Sequence, residues 1–367
     1  MSDNTKIHWA DTTCNPVMGC DGCPLFPTVG RIKAAVGAVM AKYGIKSGEA
    51  GIPGVNGLGK MSASEVYFRR KEIAAKVAKR FAGEAGKLAN EVERAVASGF
   101  ACYAGVLHLR HGKDPSKPGK KTNKGYAPSF EQVTPFTGRM ADMAGMRDLA
   151  GVARPGKPWL DGLPRLVFVS DMGDALSAAV TFEYLRHEIV SVVNSSDGLR
   201  HIWLWLTKRP ARMAKFAKWL DKQGLDWPRN LVPMTSVIDG RMAKGTGHLL
   251  EIPAAVRGLS VEPLLEPVKL DLAGYGWVIV GGESGPYARP FDLAWARDIL
   301  RQCREAGVAC FVKQMGAKPF ENGAPLKLAD RHGGNWEEWP DDTRVRETPE
   351  TYKTLTGTMK GSNGKAA

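Results

Sequence analysis

Two cysteines three residues apart lie in the run Asn15-Pro16-Val17-Met18-Gly19-Cys20-Asp21-Gly22-Cys23, and a third opens Cys102-Tyr103-Ala104-Gly105 far downstream. The Cys20-x-x-Cys23 spacing is a two-thiolate clip: a tight turn through Asp21-Gly22 lets both sulfurs face one metal ion or cluster. Gly19 and Gly22 free the backbone to curl around such a centre. Redox dithiols and zinc knuckles share this spacing, so its meaning depends on what supplies the remaining ligands.

The chain that must position these cysteines has 367 residues, room for one large α/β domain with an insertion or for two domains. A hydrophobic content of 43% and a charged content of 24% are those of an ordinary globular protein. No apolar run is long enough to span a bilayer, and Met1-Ser-Asp-Asn-Thr-Lys6 has no signal-peptide core. Six cysteines in so long a chain do not make a disulfide scaffold. The expectation is a cytoplasmic protein (host-cell cytoplasm if phage-encoded), with no membrane partner and with thiols available for a metal.

The net charge of +13 is concentrated. Residues 30–100 carry 13 Lys/Arg against 6 Asp/Glu, and residues 101–125 carry 6 against 1. Such a localised basic surface suits DNA or RNA, through release of counterions from phosphates. A solvated, Lys-rich helical face is the plainer reading, and no recognisable nucleic-acid module is present. Lys76, Lys79 and Arg80 recur at helical spacing and can share a face.

In chain order, residues 5–13 read as a short strand running into the cysteine loop, which Pro24 and Pro27 close. Residues 29–43 have helical spacing, a Gly-rich link runs from Gly44 to Gly59, and Ser62 or Ser64 caps a long basic helix reaching about Ala97, with a break near Gly83 or Gly86. These helices form an insertion between Cys23 and Cys102. An unstructured loop of that length would cost roughly 4 kcal/mol or more to close, whereas a folded hairpin brings its ends together. A basic Pro/Gly stretch, His111 to Tyr126, follows.

Six apolar runs then alternate with helical patterns: 166–170, 202–206, 231–237, 258–261, 277–280 and 309–312. Strand alternating with helix predicts parallel βαβ units, and the near-continuous apolar runs fit a sheet buried on both faces. Trp203, Trp205 and Trp277 lie within these runs and are read as core. Just beyond each run stands something polar: Ser170-Asp171-Met172-Gly173-Asp174, Thr207-Lys208-Arg209, Ser236, Glu262-Pro263, Gly281-Gly282-Glu283 and Lys313-Gln314. In a (β/α) barrel the carboxyl ends of the strands form the active site. Helix caps and turns account for any one of these groups, but not for the set. The expected fold is therefore α/β, a partial (β/α) TIM-like barrel of about six or seven parallel strands with a basic helical insertion. The domains expected are 1–28 (cluster-binding strand and loop), 29–100 (basic insertion), 101–320 (barrel) and 321–367 (extension with a disordered tail).

Several of these motifs carry a resemblance. Asn15-Pro16-Val17-x-Gly19-Cys20, Cys102-Tyr103-Ala104, the Asp171 strand end, Leu206-Thr207-Lys208-Arg209-Pro210, Ser260-Val261-Glu262-Pro263-Leu264, Trp277 to Gly285 with Ala288-Arg289-Pro290, and Phe311-Val312-Lys313-Gln314 resemble a poorly characterised family of phage and bacterial proteins. That family is itself similar to radical S-adenosylmethionine (SAM) enzymes. Its three cysteines usually lie close together; here Cys20, Cys23 and Cys102 occupy the matching places, with the basic helices inserted before the last. Cys14 stands where the family usually has Trp, so no ligand role passes to it, and Cys303 and Cys310 fit a helix and a strand of the core.

The resemblance implies a [4Fe–4S] cluster on Cys20, Cys23 and Cys102. A structural zinc site is normally closed by four ligands, whereas three cysteines on such a cluster leave one iron open to SAM. An electron donor, reductive cleavage of SAM and a radical reaction on the substrate follow from the same resemblance. SAM contacts are expected from Ser170, Asp171, Asp174, Lys208, Arg209, Ser236, Gly281, Gly282 and Glu283. Glu262 and Lys313 are the catalytic candidates. Gly281-Gly282 is no dinucleotide fingerprint, because the G-x-G-x-x-G spacing is absent. Two function classes remain: an iron–sulfur SAM enzyme modifying or repairing nucleic acid or a nucleotide-derived substrate, and a non-catalytic nucleic-acid-binding protein in which the cysteines bind zinc, completed by His8, His108 or His111.

Overall fold

A computed structural model of the chain describes residues 5–22, 29–45, 61, 63–79, 85–99, 102–111, 125–285 and 287–356. Its contacts divide it into two compact units, residues 17–134 and residues 1–16 with 135–367. The basic stretch 112–124, Cys23, Arg80 and the tail beyond Thr356 lie outside the described residues.

Among the described residues, 17–134 hold five helices: α1 (Val29–Lys42), α2 (Ala63–Phe68), α3 (Arg70–Lys79), α4 (Ala85–Gly99) and α5 (Tyr103–His111). Ile32, Val36 and Met40, then Leu88, Val92 and Val96, repeat every four residues, so each helix buries one stripe. Ile73 and Val77 of α3 and Leu109 of α5 complete the same core. Leu109 ties α5 to the helices, so α5 belongs to their unit and not, as the 101–320 boundary had it, with the sheet. Ion pairs Lys42–Glu91, Arg70–Glu93 and Lys76–Glu72 decorate the surface.

The other unit is built on seven parallel strands, taken in chain order across one curled, half-barrel sheet. They are β1 (Thr12–Cys14), β2 (Arg165–Val169), β3 (His201–Thr207), β4 (Leu231–Ser236), β5 (Gly258–Val261), β6 (Trp277–Gly281) and β7 (Ala309–Gln314). All six internal runs read from the sequence are strands here, within a residue or two. Among the helices of this unit are α6 (Arg139–Ala144), α7 (Pro210–Lys222) and α8 (Leu293–Ala306). Trp203 and Trp205 turn to the α7 side, where Trp205 meets Phe216 and Trp227. On the opposite face Leu166, Phe168, Ile202, Leu204, Val232, Met234, Trp277, Ile279 and Phe311 pack with Trp9 and Tyr352. An α/β sheet buried on both faces accounts for the nearly unbroken apolar runs.

Residues 5–13 were expected as a strand, but only Thr12–Cys14 pairs, with Val167–Val169. The Lys157 ammonium draws the carbonyls of Thr5, Ile7 and Ala10 together and curls the segment into a turn. At the amino end of the sheet, Asp11 and Arg154 form a buried ion pair at 2.7 Å. Asp11 also accepts from the Leu166 N–H (2.8 Å) and donates its own N–H to the Leu166 carbonyl (2.9 Å), which fixes the register of β1 on β2.

The segment after residue 320, expected as an extension, is part of this unit. The Val312 N–H donates to Val345 and the Glu347 N–H to Cys310, so the segment covers the free edge of β7. Trp339 and Tyr352 are buried with it.

Asp11→Ala leaves Arg154 buried without its counter-charge and is expected to cost about 3–5 kcal/mol in urea unfolding. The Asp11→Leu/Arg154→Met pair, which removes both charges, should lose less than the single change; an equal or larger loss would contradict this.

Candidate functional site

Side chains alternate along a strand, so the face that carries Phe168, Leu204, Met234, Ile279 and Phe311 continues at the carboxyl edge into other residues. These are Leu206 of β3, Ser236 of β4, Gly281 of β6 and Lys313 of β7. On β5, a Cβ at Gly258 would stand 2.8 Å from the Met234 side chain, so Ser260 and Glu262 follow onto that face too. A polar rim thus lies above an apolar floor.

At β1 and β2, Asn15 is buried and its amide is spent twice: Oδ1 accepts the Met172 N–H at 2.8 Å and Nδ2 donates to Asp171 Oδ1. Burial pushes the Asp171 carboxyl up, against the lowering effect of the Asn15 bond. Asp171 forms no ion pair among the described residues. Ser170 adopts φ 76°, a left-handed backbone that is costly for a residue with a Cβ, and its buried Oγ has no hydrogen-bond partner among them. Asn15 was visible in the sequence only as the first residue of a motif; its role as the partner of Asp171 was not. Cys14 is buried, its thiol pushed up to about 12, and its Sγ lies 3.5 Å from the Arg139 carbonyl. That setting suits a core thiol.

Asp174, expected to contact SAM, is instead spent on the loops. Its carboxylate accepts the Thr207 hydroxyl (2.9 Å) and the N–H groups of Leu176 and Lys208 (3.0 Å each), with the Arg209 guanidinium at 3.8 Å. Asp174 thereby holds Thr207-Lys208-Arg209 at the start of α7 and commits Arg209. The Lys208 ammonium makes no ion pair among the described residues.

Glu283 is likewise committed: Arg289 grips both its oxygens at 2.8 Å and closes the loop after β6. Gly281 and Gly282 answer to packing. A Cβ on Gly282 would fall 2.4 Å from the Met315 carbonyl oxygen and one on Gly281 3.2 Å from that of Gln314, while Gln314 Nε2 donates to the Gly282 carbonyl at 2.9 Å. Glu262 and Lys313, by contrast, meet directly in an ion pair across β6. Ser236 is buried opposite Ser260 in the β4–β5 register.

Cys20 and Cys102 belong to the helical unit. The Cys20 N–H donates to the Phe130 carbonyl at 2.8 Å. Gly19 before it has φ 80° and no room for a Cβ, which would stand 2.3 Å from the Gln132 carbonyl oxygen, and Gly22 after it has φ 140°. The backbone therefore takes a left-handed φ on both sides of the thiol. Cys102 immediately precedes α5, and its carbonyl accepts the Val106 N–H at 3.0 Å; a helix amino end favours a thiolate. Among the described residues no group of three His, Cys, Asp or Glu is arranged to hold a metal ion; Cys23, the third thiol, lies outside them. The thiols of Cys20, between two left-handed glycines, and of Cys102, at a helix amino end, suit a thiolate-bound centre.

Of the histidines weighed as a fourth zinc ligand, His108 follows Cys102 by six residues, about 240° around the helix and ~9 Å along it. Its Nε2 bonds the Ala127 carbonyl at 2.9 Å and its ring packs against Tyr126 and Phe130. His8 bonds the Lys313 carbonyl at 2.9 Å. The His111 side chain lies outside the described residues. Cys303 and Cys310 are buried in the sheet unit, and the neighbouring Cys303 together with burial holds the Cys310 thiol well above its usual range.

A groove of about 760 Å³ lies away from this rim, between residues 269–275 and α8. Its Arg301 is already paired with Asp298 and Glu305, so the strand ends remain the better candidate.

If Gly282 is there for packing, Gly282→Ala should lower stability by about 1–3 kcal/mol in urea unfolding. A variant of parental stability would return this glycine to the list of ligand contacts.

No curated protein and no solved structure matches the chain. Residues 94–361 match the model of a family described as protein of unknown function (DUF5131), a span that takes in Cys102, α5, β2 to β7 and the segment covering the sheet edge. With well over half of its length in that match, the chain belongs to the DUF5131 family.

Proposed function

We propose that this chain is a radical SAM-type iron–sulfur enzyme on a partial TIM-like barrel, acting on a nucleic acid or a nucleotide-derived substrate. Chain order at β1 carries the reading: the strand ends at Cys14, Asn15 follows as the partner of Asp171, and Cys20 comes five residues later. Cys20, Cys23 and Cys102 would hold the cluster, which when bound supplies the electron that cleaves SAM. That electron comes from a separate donor.

The residues of the sheet unit have the chemistry to bind and orient. Asp171, desolvated and without an ion pair among the described residues, can accept an ammonium group, and Lys208 can pair with a carboxylate or phosphate. The buried hydroxyl of Ser170 has hydrogen-bonding capacity left, and Ser236 stands on the same rim. Glu262 and Lys313 can hold and pass a proton. Exposed Lys71, Lys79 and Arg94 on α3 and α4, without ion pairs among the described residues, suit a phosphate backbone.

Anaerobic reconstitution should give a brown, iron-containing protein. Cys20→Ser, Cys23→Ser and Cys102→Ser should each lose the iron, while Cys14→Ser, Cys303→Ser and Cys310→Ser keep it. Zinc in place of iron, or full iron in Cys102→Ser, would remove this proposal. Asp171→Asn should weaken SAM binding about tenfold or more in equilibrium dialysis, the loss of one charge-assisted bond. Unchanged affinity would put the SAM site elsewhere.

A further inference from the structure

Strand β7 contains one residue too many. Val312 pairs with Val280 and Gln314 with Gly281, so Lys313 is an extra residue, a β-bulge opposite β6. A bulge breaks the ladder locally and re-aims a side chain, and it leaves backbone groups that must find partners elsewhere. The Lys313 carbonyl finds two. His8 Nδ1 lies 2.9 Å away and Arg346 Nη2 3.4 Å away, from segments near the two ends of the sequence.

Both donors are themselves locked. A carbonyl partner means that His8 Nδ1 carries the proton. Burial, with the Arg346, Lys313 and Lys157 cations nearby, holds the imidazole down to about 4, so at neutral pH His8 is an uncharged donor. Its ring meets Trp159 edge-on, Trp159 Nε1 donates to the His8 carbonyl at 2.7 Å, and a Cβ on Gly334 would stand 3.0 Å from His8 Cε1. The Arg346 guanidinium lies over Trp159 (4.0 Å), beside Trp336 (5.0 Å) and Trp339 (5.2 Å), and also donates to the Gly334 carbonyl at 3.2 Å.

On the side-chain end, the Lys313 ammonium reaches Glu262 across β6, where Gly281 has no side chain to obstruct it. We infer that His8 and Arg346 are positioning residues for Lys313: by holding the carbonyl of the bulge they aim its ammonium at Glu262. This goes beyond the cofactor reading and stands whether or not SAM is the ligand.

Trace acetylation of the full-length protein with acetic anhydride, read by peptide mass spectrometry, reports the reactivity of each lysine. Lys313 should label slowly in the parent. Glu262→Gln, which removes the carboxylate directly, should raise its labelling about tenfold, the loss of one charge-assisted bond. His8→Leu, which has no donor, should move Lys313 most of the way to that value. His8→Asn, whose amide can donate from near the position of Nδ1, should stay close to the parent. Arg346→Gln gives an independent arm on the second donor. Labelling of surface lysines such as Lys215 should not change in any of them. Equal Lys313 labelling in His8→Leu and His8→Asn overturns the inference. So does an unfolded His8→Leu beside a folded His8→Asn, which would assign the bond to stability alone.

Discussion

Everything at the carboxyl edge of the sheet depends on where β1 stops, and that is set at its other end by Asp11 and Arg154. The carboxylate is shut away from water against the guanidinium and, through Leu166, is tied to the first residues of β2. A slip of one residue would exchange the faces of Thr13, Cys14 and Asn15. Asn15 would then no longer meet Asp171. A buried pair of this kind gives little net stability over an apolar substitute, but it penalises every register that separates its charges.

The polar groups of the rim divide by how much bonding capacity they have left. Asp174 and Glu283 are saturated: one by a hydroxyl and two N–H groups, the other by an arginine six residues on. Each fixes a loop. Asp171, Ser170 and Lys208 retain unused capacity. Of these, Ser170 Oγ is the buried atom without a partner among the described residues, a cost that a ligand or ordered water would offset. Glu262 and Lys313 stand between these groups, paired with each other but across a glycine and on a bulge.

The strands were legible because a sheet buried on both faces needs runs such as Trp277-Val278-Ile279-Val280, with polar residues where they end. The residues able to bond at the rim were legible as types, but their commitments were not. Whether Asp174 faces a ligand or the Thr207 hydroxyl is decided by the β2–β3 register, which no local pattern records. The short β1 was missed because Lys157, far away in sequence, curls residues 5–10. Leu109 and Tyr352 moved two domain boundaries for the same reason: each is an ordinary apolar residue locally, and only its packing partners show to which core it belongs. The bulge at Lys313 has no sequence signature, since the residue count on β7 matters only against β6.

The central proposal is a SAM-dependent reaction that requires Cys20, Cys23 and Cys102. The most direct measurement is the release of 5′-deoxyadenosine, followed by chromatography and mass spectrometry, when iron-loaded protein is chemically reduced with SAM present. The account predicts 5′-deoxyadenosine from the parent protein and none from Cys102→Ser under the same conditions. An iron-loaded, reduced parent that binds SAM and leaves it intact would contradict it.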